Sequence, residues 1–158
     1  YHSKVITAGR SINDHMPHHV FEMLRDSLNE MEKPVKKSKI VVLGFSYKEN
    51  VGDARETPVE HLIEELKKAS ADITVVDPYV EEDFMKSFGV KVEKDSYKAL
   101  KNADVLVLMT GHQIFRELDL ERVKILMKVP IIIDGRRIFD KEKSERMGFT
   151  YKGVGAGY

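Results

Sequence analysis

Apolar residues in the first part of the chain follow a helical period. They recur at every fourth position, with Met23 and Met31 beside them: Ile12, Met16, Val20, Leu24 and Leu28. This spacing places them on one stripe of a helix over about the first 33 residues. Pro17 lies inside the stripe, and we expect it to kink the helix or to start a new one.

From Ile40 onwards the pattern changes to short apolar runs that alternate with helical segments. Strands are predicted at residues 39–45, 72–77, 90–93, 104–110, 130–134 and 149–154, and helices at 58–69, 80–88, 95–101, 114–127 and 140–147. Most of the strand runs are continuously apolar, as in parallel strands that are buried on both faces. The pattern predicts an α/β fold, namely a doubly wound, mostly parallel Rossmann-like sheet preceded by a long helix.

A polar segment separates the two patterns. The segment "EKPVKKSK", from Glu32 to Lys39, contains Pro34 and reads as a hinge. We therefore predict two units, residues 1–36 and residues 37–158.

Composition narrows the class of protein. The 158 residues carry 26 basic and 26 acidic side chains, so the chain lacks the basic excess of a general nucleic-acid binder. It has no cysteine, which excludes a disulfide framework, a thiolate metal site and a cysteine nucleophile within these residues. No apolar run approaches the ~20 residues of a membrane-spanning helix, and the start has no signal-peptide pattern. We expect a cytoplasmic protein, and the missing initiator Met suggests a piece of a longer one.

Cationic side chains follow two of the predicted strands. Lys48 and Arg55 lie in the loop after the first strand, and Arg136 and Arg137 follow the fifth. Because ligands of such sheets bind at the carboxyl ends of the strands, these residues are the candidates for holding an anion. Adjacent arginines usually point in different directions, so one of the pair could bind a ligand while the other holds the fold.

The helix after the first loop has a recognisable start. Thr57-Pro58-Val59-Glu60 predicts a capping box, with Thr57 as N-cap, Pro58 at the first helical position and Glu60 at the third. The Thr57 hydroxyl and the Glu60 carboxylate would occupy this helix end. Lys48 and Arg55 are therefore better placed to bind an anion, although Arg55 could instead form an ion pair with Asp53 or Glu56.

Several other residues have two interpretations. Gly44 is the only glycine of a possible Gly-x-Gly-x-x-Gly series, so the dinucleotide fingerprint is absent, and Asp77 is better explained as the Asp of an Asp-Pro turn than as a ribose ligand. His112 could contact a ligand or act as a base, or could be structural. The cluster His15, His18 and His19 has a spacing that can chelate zinc, but Pro17 disturbs the helix, and surface histidines are the simpler interpretation.

Several motifs in order resemble one family. "GFSYKENVGDARETP", "DITVVDPYV", "MTGHQIFREL" and "IIIDGRRIFD" are similar to the C-terminal domain of the UDP-glucose/GDP-mannose dehydrogenase family. Val51 departs from the family pattern, which usually has Thr there. "GRSINDHMPHHV" resembles the helix that closes the family's central, dimer-forming domain. The resemblance covers essentially the whole chain.

The resemblance implies a function for the longer protein. Enzymes of this family oxidise the C6 alcohol of a UDP-sugar to a carboxylate in two hydride transfers to NAD, through a cysteine that would lie upstream of these residues. It implies that residues 1–36 end the dimerisation domain and that residues 37–158 bind the UDP-sugar. Tyr47, Lys48 and Arg136 would contact the UDP-sugar, Arg55 would reach NAD, and no catalytic residue would lie in this chain.

The substrate and the class of protein stay open at this stage. The front and end segments look most like enzymes acting on UDP-N-acetylmannosamine, and UDP-glucose is the alternative. A non-catalytic nucleotide-binding module and a structural dimerisation fragment are alternatives from other classes. For all of these alternatives we expect no metal, nucleic-acid or membrane partner. We also expect the fragment alone to be catalytically inactive.

Overall fold

The computed structural model describes the backbone of residues 4–155 and the side chains of residues 15–155. It begins with one helix, α1 (Lys4–Glu30), which continues through Pro17 without a second helix starting there. The side chain of Ile12, the first member of the predicted stripe, lies outside the described side chains. Of the other stripe residues, Val20, Leu24 and Leu28 are fully buried and Met16 is partly buried. The second half of α1 therefore packs with its apolar stripe inwards.

Strands and helices alternate over the rest of the described chain. The strands are β1 (Lys39–Leu43), β2 (Asp72–Val76), β3 (Lys91–Val92), β4 (Val105–Leu108), β5 (Ile131–Asp134) and β6 (Thr150–Gly153). The helices after α1 are α2 (Val59–Lys68), α3 (Glu82–Lys86), α4 (Ser96–Leu100), α5 (Gln113–Arg116), α6 (Leu120–Leu126) and α7 (Lys141–Arg146). All six predicted strands are found, each within or close to its predicted range.

One predicted helix is wrong. Residues 114–127 do not form a single helix, because the chain breaks between α5 and α6. The side chain of Asp119 accepts hydrogen bonds from the backbone N–H groups of Glu121 and Arg122 and so caps a new helix. An N-cap of this kind stabilises a helix start at the point where the apolar pattern alone would continue the helix.

The six strands form one parallel sheet in the order β3-β2-β1-β4-β5-β6. Successive side chains along a strand point to opposite faces, so each apolar strand serves two cores. In β1, Ile40 and Val42 belong to the core under α1, α2 and α3. Val41 and Leu43 belong to the core under α4, α5 and α6. The fold is the predicted doubly wound α/β architecture.

The polar segment between α1 and β1 is held against the sheet. Val35 and Ser38 are buried, and Lys33 donates to the carboxylate of buried Asp104 over 3.1 Å.

None of the described helices is long and apolar enough to cross a membrane. The division into units 1–36 and 37–158 stays a prediction, but the second half of α1 shares a core with the sheet.

Candidate functional site

The strand order places a cleft at the middle of the sheet. β1 and β4 are neighbours but are far apart in sequence, and the chain runs outward from them in opposite directions. Such a switch point leaves room between the loops at the carboxyl ends of the strands. A cleft of about 400 Å³ lies there, and its wall is formed by Met16, Tyr47, Lys48, Glu49, Pro58, Thr110 and Arg136.

Three residues predicted as UDP-sugar contacts line this one cleft. Tyr47 and Lys48 come from the loop after β1, and Arg136 comes from the loop after β5. Tyr47 is 45% exposed, so its ring presents a free surface to the cleft. The ammonium group of Lys48 has no hydrogen bond or ion pair with another described residue. These side chains are brought together by the fold, although Lys48 and Arg136 are distant in sequence.

Arg136 is positioned by its own backbone and by one of its nitrogens. Its backbone N–H donates to Asp134 Oδ1 (3.1 Å), and its Nε donates to the carbonyl of Met109 (3.0 Å). The two terminal nitrogens of the guanidinium form no hydrogen bond with the part of the chain that the structure describes. They form a planar pair of donors that suits a phosphate or carboxylate.

The neighbouring arginine lies outside the cleft wall, and the end of β5 has a structural role. Arg137 has a left-handed backbone, with φ of 56°, and does not line the cleft. Buried Asp134 accepts hydrogen bonds at Oδ2 from the Phe139 backbone and from the Tyr151 hydroxyl, each over 2.9 Å. Burial and then the Asp134 carboxylate raise the pKa of Tyr151, so this hydroxyl remains a donor. The loop that carries Arg136 is therefore anchored at both ends.

The electrostatics of the cleft favour an anion. Its one acidic side chain, Glu49, is paired with Arg116 at 3.2 Å. The positive charges of Lys48 and Arg136 are not matched in this way by any described carboxylate. The net field of the described lining residues is thus positive, as binding of a phosphate requires.

A buried polar network lies behind the loop after β1. Asp77, at the end of β2, accepts hydrogen bonds from the backbone N–H groups of Phe45 (2.7 Å), Ser46 (2.9 Å) and Tyr79 (2.9 Å). It also faces Nε2 of His112 at 3.0 Å. Burial alone would raise the pKa of Asp77, but these hydrogen bonds outweigh it and hold the pKa below its ordinary value. Asp77 forms the turn with Tyr79, as the Asp-Pro interpretation predicts, and it also fixes the neighbouring loop.

Arg55 is not brought into the cleft. Its side chain is 89% exposed and forms an ion pair with Asp53 at 3.1 Å. Hydrogen bonds from Arg55 hold the pKa of Asp53 below its ordinary value. Arg55 instead borders a separate open depression of about 490 Å³, together with Phe84 and Glu81. The ion pair between Arg55 and Asp53, which was the alternative interpretation of Arg55, is thus present. The contact of Arg55 with NAD stays a prediction.

The predicted capping box is found in part. Thr57 is buried, and its hydroxyl accepts a hydrogen bond from the Val59 N–H over 3.3 Å. Pro58 has helical dihedral angles, as expected at the first helical position. Glu60 returns no reciprocal side-chain hydrogen bond to a described residue. The start of α2 is nevertheless occupied in part by the hydroxyl of its own threonine.

One histidine of the cluster on α1, His18, forms ion pairs. Within residues 15–155, no group of three His, Asp or Glu side chains is placed to hold a metal ion. His18 lies between Glu22 of α1 (2.9 Å) and Glu65 of α2 (2.5 Å). The hydrogen bond to Glu65 raises the pKa of His18. This side chain links α1 to α2.

The sequence pattern did not assign four of the cleft residues to the site, namely Met16, Glu49, Pro58 and Thr110. Met16 belongs to the apolar stripe of α1, and nothing in that stripe distinguishes a core residue from one that reaches a distant loop. Thr110 could have been found, because it is the last residue of a predicted strand. Its hydroxyl donates to the carbonyl of Ser46 over 2.7 Å and so closes the base of the cleft.

Comparisons with known proteins agree with the fold. Residues 41–141 match the model of the UDP binding domain of the UDP-glucose/GDP-mannose dehydrogenase family. UDP-glucose 6-dehydrogenase of Rhizobium meliloti is 37% identical over 122 residues, which cover 77% of this chain and 28% of that protein.

Two solved structures are similar over almost all of the chain. NDP-N-acetyl-D-galactosaminuronic acid dehydrogenase from Methanosarcina mazei superimposes with a TM-score of 0.87 and 30% identity, covering 98% of this chain and 32% of that one. UDP-D-ManNAc dehydrogenase from Pyrococcus horikoshii gives a TM-score of 0.83 and 27% identity, covering 98% and 34%. The chain thus spans about a third of the length of these relatives.

Proposed function

The chain belongs to the UDP-glucose/GDP-mannose dehydrogenase family, as its UDP binding domain, and we propose that the cleft binds the nucleotide part of a UDP-sugar. The observation that carries this proposal is the convergence of Lys48 and Arg136 on one cleft. They come from different strand ends, and neither forms an ion pair with a described carboxylate. Lys48 acts as a point charge on the diphosphate, and the guanidinium of Arg136 offers paired donors to phosphate or sugar oxygens. The exposed ring of Tyr47 supplies an apolar surface beside them.

The longer protein is proposed to be an NAD-dependent UDP-sugar 6-dehydrogenase. It would oxidise the C6 alcohol of the sugar to a carboxylate in two hydride transfers, with NAD taking up the hydride. UDP-N-acetyl-D-mannosamine is the proposed substrate and UDP-glucose the alternative, and relatives named for each are similar to this chain. Measuring NAD reduction by the whole protein with each UDP-sugar distinguishes the two.

The described residues do not form a dinucleotide cradle of their own. At Gly44, the one fingerprint glycine, φ is 99° and an added Cβ would lie 2.4 Å from the Cβ of Thr110. Ser46 and Glu49 stand where the second and third fingerprint glycines would be, so this loop lacks the glycine that lets the backbone of a dinucleotide fold approach the pyrophosphate. We therefore propose that NAD is held mainly by another part of the protein and that Arg55 reaches it from the edge of this domain. We also propose that the longer protein is a homodimer in which α1 takes part.

The first experiment is a titration of this chain with UDP, and separately with NAD, followed by amide NMR shifts. Shifts caused by UDP should cluster at Tyr47, Lys48 and Arg136. Lys48→Ala and Arg136→Ala should each weaken UDP binding by roughly 10- to 100-fold, because each removes a hydrogen bond to a charged group.

Arg137→Ala is the matched control, since it removes the same charge one residue away from the cleft wall. It should change the affinity by less than about threefold. Uridine, which lacks the diphosphate, is the matched ligand and should be insensitive to Lys48→Ala. UDP shifts that avoid the cleft, or equal losses for Arg136→Ala and Arg137→Ala, contradict the proposed site.

A further inference from the structure

His112 is buried directly behind the cleft, with 0% exposure, and does not line it. Its Nδ1 accepts a hydrogen bond from the backbone N–H of Asn50 over 2.7 Å. A ring nitrogen can accept only if it carries no proton, so the proton of the neutral ring sits on Nε2. That nitrogen lies 3.0 Å from Asp77 Oδ2 and 3.1 Å from Ser46 Oγ, and both can accept from it. Each nitrogen of His112 therefore has a separate role.

Both ends of the loop that carries Tyr47 and Lys48 depend on this network. The start of the loop is held by Asp77, which accepts from the Ser46 N–H. Its middle is held by the Ser46 hydroxyl, which donates to the carbonyl of Lys48 over 2.8 Å. Its far end is held at Asn50 by His112 Nδ1. The residue that bears the proposed diphosphate contact thus lies between two points fixed by the same histidine–aspartate pair.

Asn50 is held on both its backbone and its side chain. Its backbone is left-handed, with φ of 56°, a conformation that asparagine adopts more readily than other residues except glycine. Its side-chain oxygen also accepts from the Gln113 N–H over 2.9 Å, which ties it to the start of α5.

The ring of His112 is itself held rigidly, because two aromatic rings pack against it. The Tyr79 ring lies 4.7 Å away and the Phe115 ring 5.4 Å away, centroid to centroid. The acceptor at Nδ1 is therefore fixed in space relative to the sheet.

We propose that His112 is a positioning residue for the ligand-binding loop. Its unprotonated Nδ1 accepts a hydrogen bond from the Asn50 N–H and thereby sets the positions of Tyr47 and Lys48 in the cleft. The part of this inference that concerns the ligand rests on the proposed function of the cleft. The part that concerns the loop does not depend on any ligand.

The two nitrogens can be separated by a pair of substitutions of similar size. In His112→Asn the amide oxygen can take the place of Nδ1 and accept from Asn50, while the contact at Nε2 is lost. In His112→Gln the amide nitrogen reaches the Nε2 position and donates to Asp77, while the acceptor for Asn50 is lost. If His112 only fills space in the core, the two variants should behave alike.

Hydrogen exchange of the Asn50 amide and the affinity for UDP are measured for both variants of this chain. In His112→Gln the exchange should be faster and the affinity weaker, each by about tenfold, and His112→Asn should restore both to within about threefold of the wild type. Equal effects of the two variants on both measurements would overturn the proposal.

Two outcomes separate this inference from the proposed function. If the wild type binds no UDP, the proposed function fails, and Asn50 exchange alone still decides whether His112 holds the loop. If the variants do not fold, the ring ¹⁵N shifts of His112 in the wild type decide it. A proton on Nε2 with a bare Nδ1 supports the proposal, and a proton on Nδ1 overturns it.

Discussion

Replacing Asp77 with asparagine should destabilise the fold by about 2–4 kcal/mol near neutral pH. The side chain is the hub of the network behind the cleft. Its Oδ2 accepts from the N–H groups of Phe45 and Ser46 and faces His112 Nε2, and its Oδ1 accepts from the Tyr79 N–H. An asparagine oxygen can accept hydrogen bonds from Phe45, Ser46 and His112 only if the asparagine NH₂ group takes the place of Oδ1. That NH₂ group then faces the Tyr79 N–H, so two donors lie opposite each other without an acceptor.

The magnitude follows from these contacts. The lost hydrogen bond to a charged acceptor is worth ~1.5–3 kcal/mol, and the remaining bonds weaken from charge-assisted to neutral. Removing a buried charge offsets part of this cost, because the carboxylate no longer has to be kept away from water. The net loss stays positive, since the hydrogen bonds already outweigh burial in lowering the pKa of Asp77.

The same pKa gives the pH dependence its sign. A carboxyl group whose pKa is lower in the folded state contributes stability above its unfolded value, here 3.8, and loses it as the pH falls through the folded value. The difference between wild type and Asp77→Asn should therefore be constant near neutral pH and shrink below about pH 3.8.

Urea unfolding followed by circular dichroism over a pH series measures this difference. Asp53→Asn is the matched control, because Asp53 is partly exposed and its ion pair is with the exposed Arg55, so its loss should change the stability much less than the loss of Asp77. Equal stabilities of wild type and Asp77→Asn, or a difference that does not change with acid, would refute the reasoning.

Two further changes test other parts of the structure. Gly44→Ala should destabilise the fold and lower the melting temperature, because φ is 99° and the new Cβ would lie 2.4 Å from Thr110 Cβ; an unchanged melting temperature contradicts this. His18→Gln should weaken the docking of α1, and the loss of thermal stability should be largest below pH 6.5 and disappear as the pH rises through the raised pKa of His18, because protonated His18 pairs with Glu65. A loss that is the same at about pH 6 and about pH 9 would remove His18 from this role.

Local patterns were sufficient to predict the sheet. Four of the strands, β1, β2, β4 and β5, are almost continuously buried because parallel strands are covered on both faces, and this signal needs no knowledge of distant residues. The helix break at Asp119 was not predicted. The apolar residues Phe115 and Leu120 maintain a helical pattern across it, while a single capping side chain ends one helix and starts the next.

The site was only partly predictable from the sequence. The positions of Lys48 and Arg136 after predicted strands were enough to predict that both lie at the carboxyl edge of the sheet. That edge is where ligands of this fold class bind. It could not separate Arg136 from Arg137, since that depends on the left-handed backbone at Arg137 and on the bond from Arg136 Nε to Met109. It also could not place Met16 in the cleft, because that contact joins α1 to loops far along the chain.

The docking of α1 has a consequence for how the chain is made. The apolar residues of its second half, Val20, Leu24 and Leu28, pack in a core that also contains Ile131 and Ile133 of β5. At ~5–20 residues per second, the ribosome would need on the order of ten seconds to synthesise the chain between them. During that interval the nascent chain exposes a hydrophobic helix face with only part of its final partner surface. Co-translational folding should therefore be completed late, and the growing chain is expected to depend on chaperones at this stage.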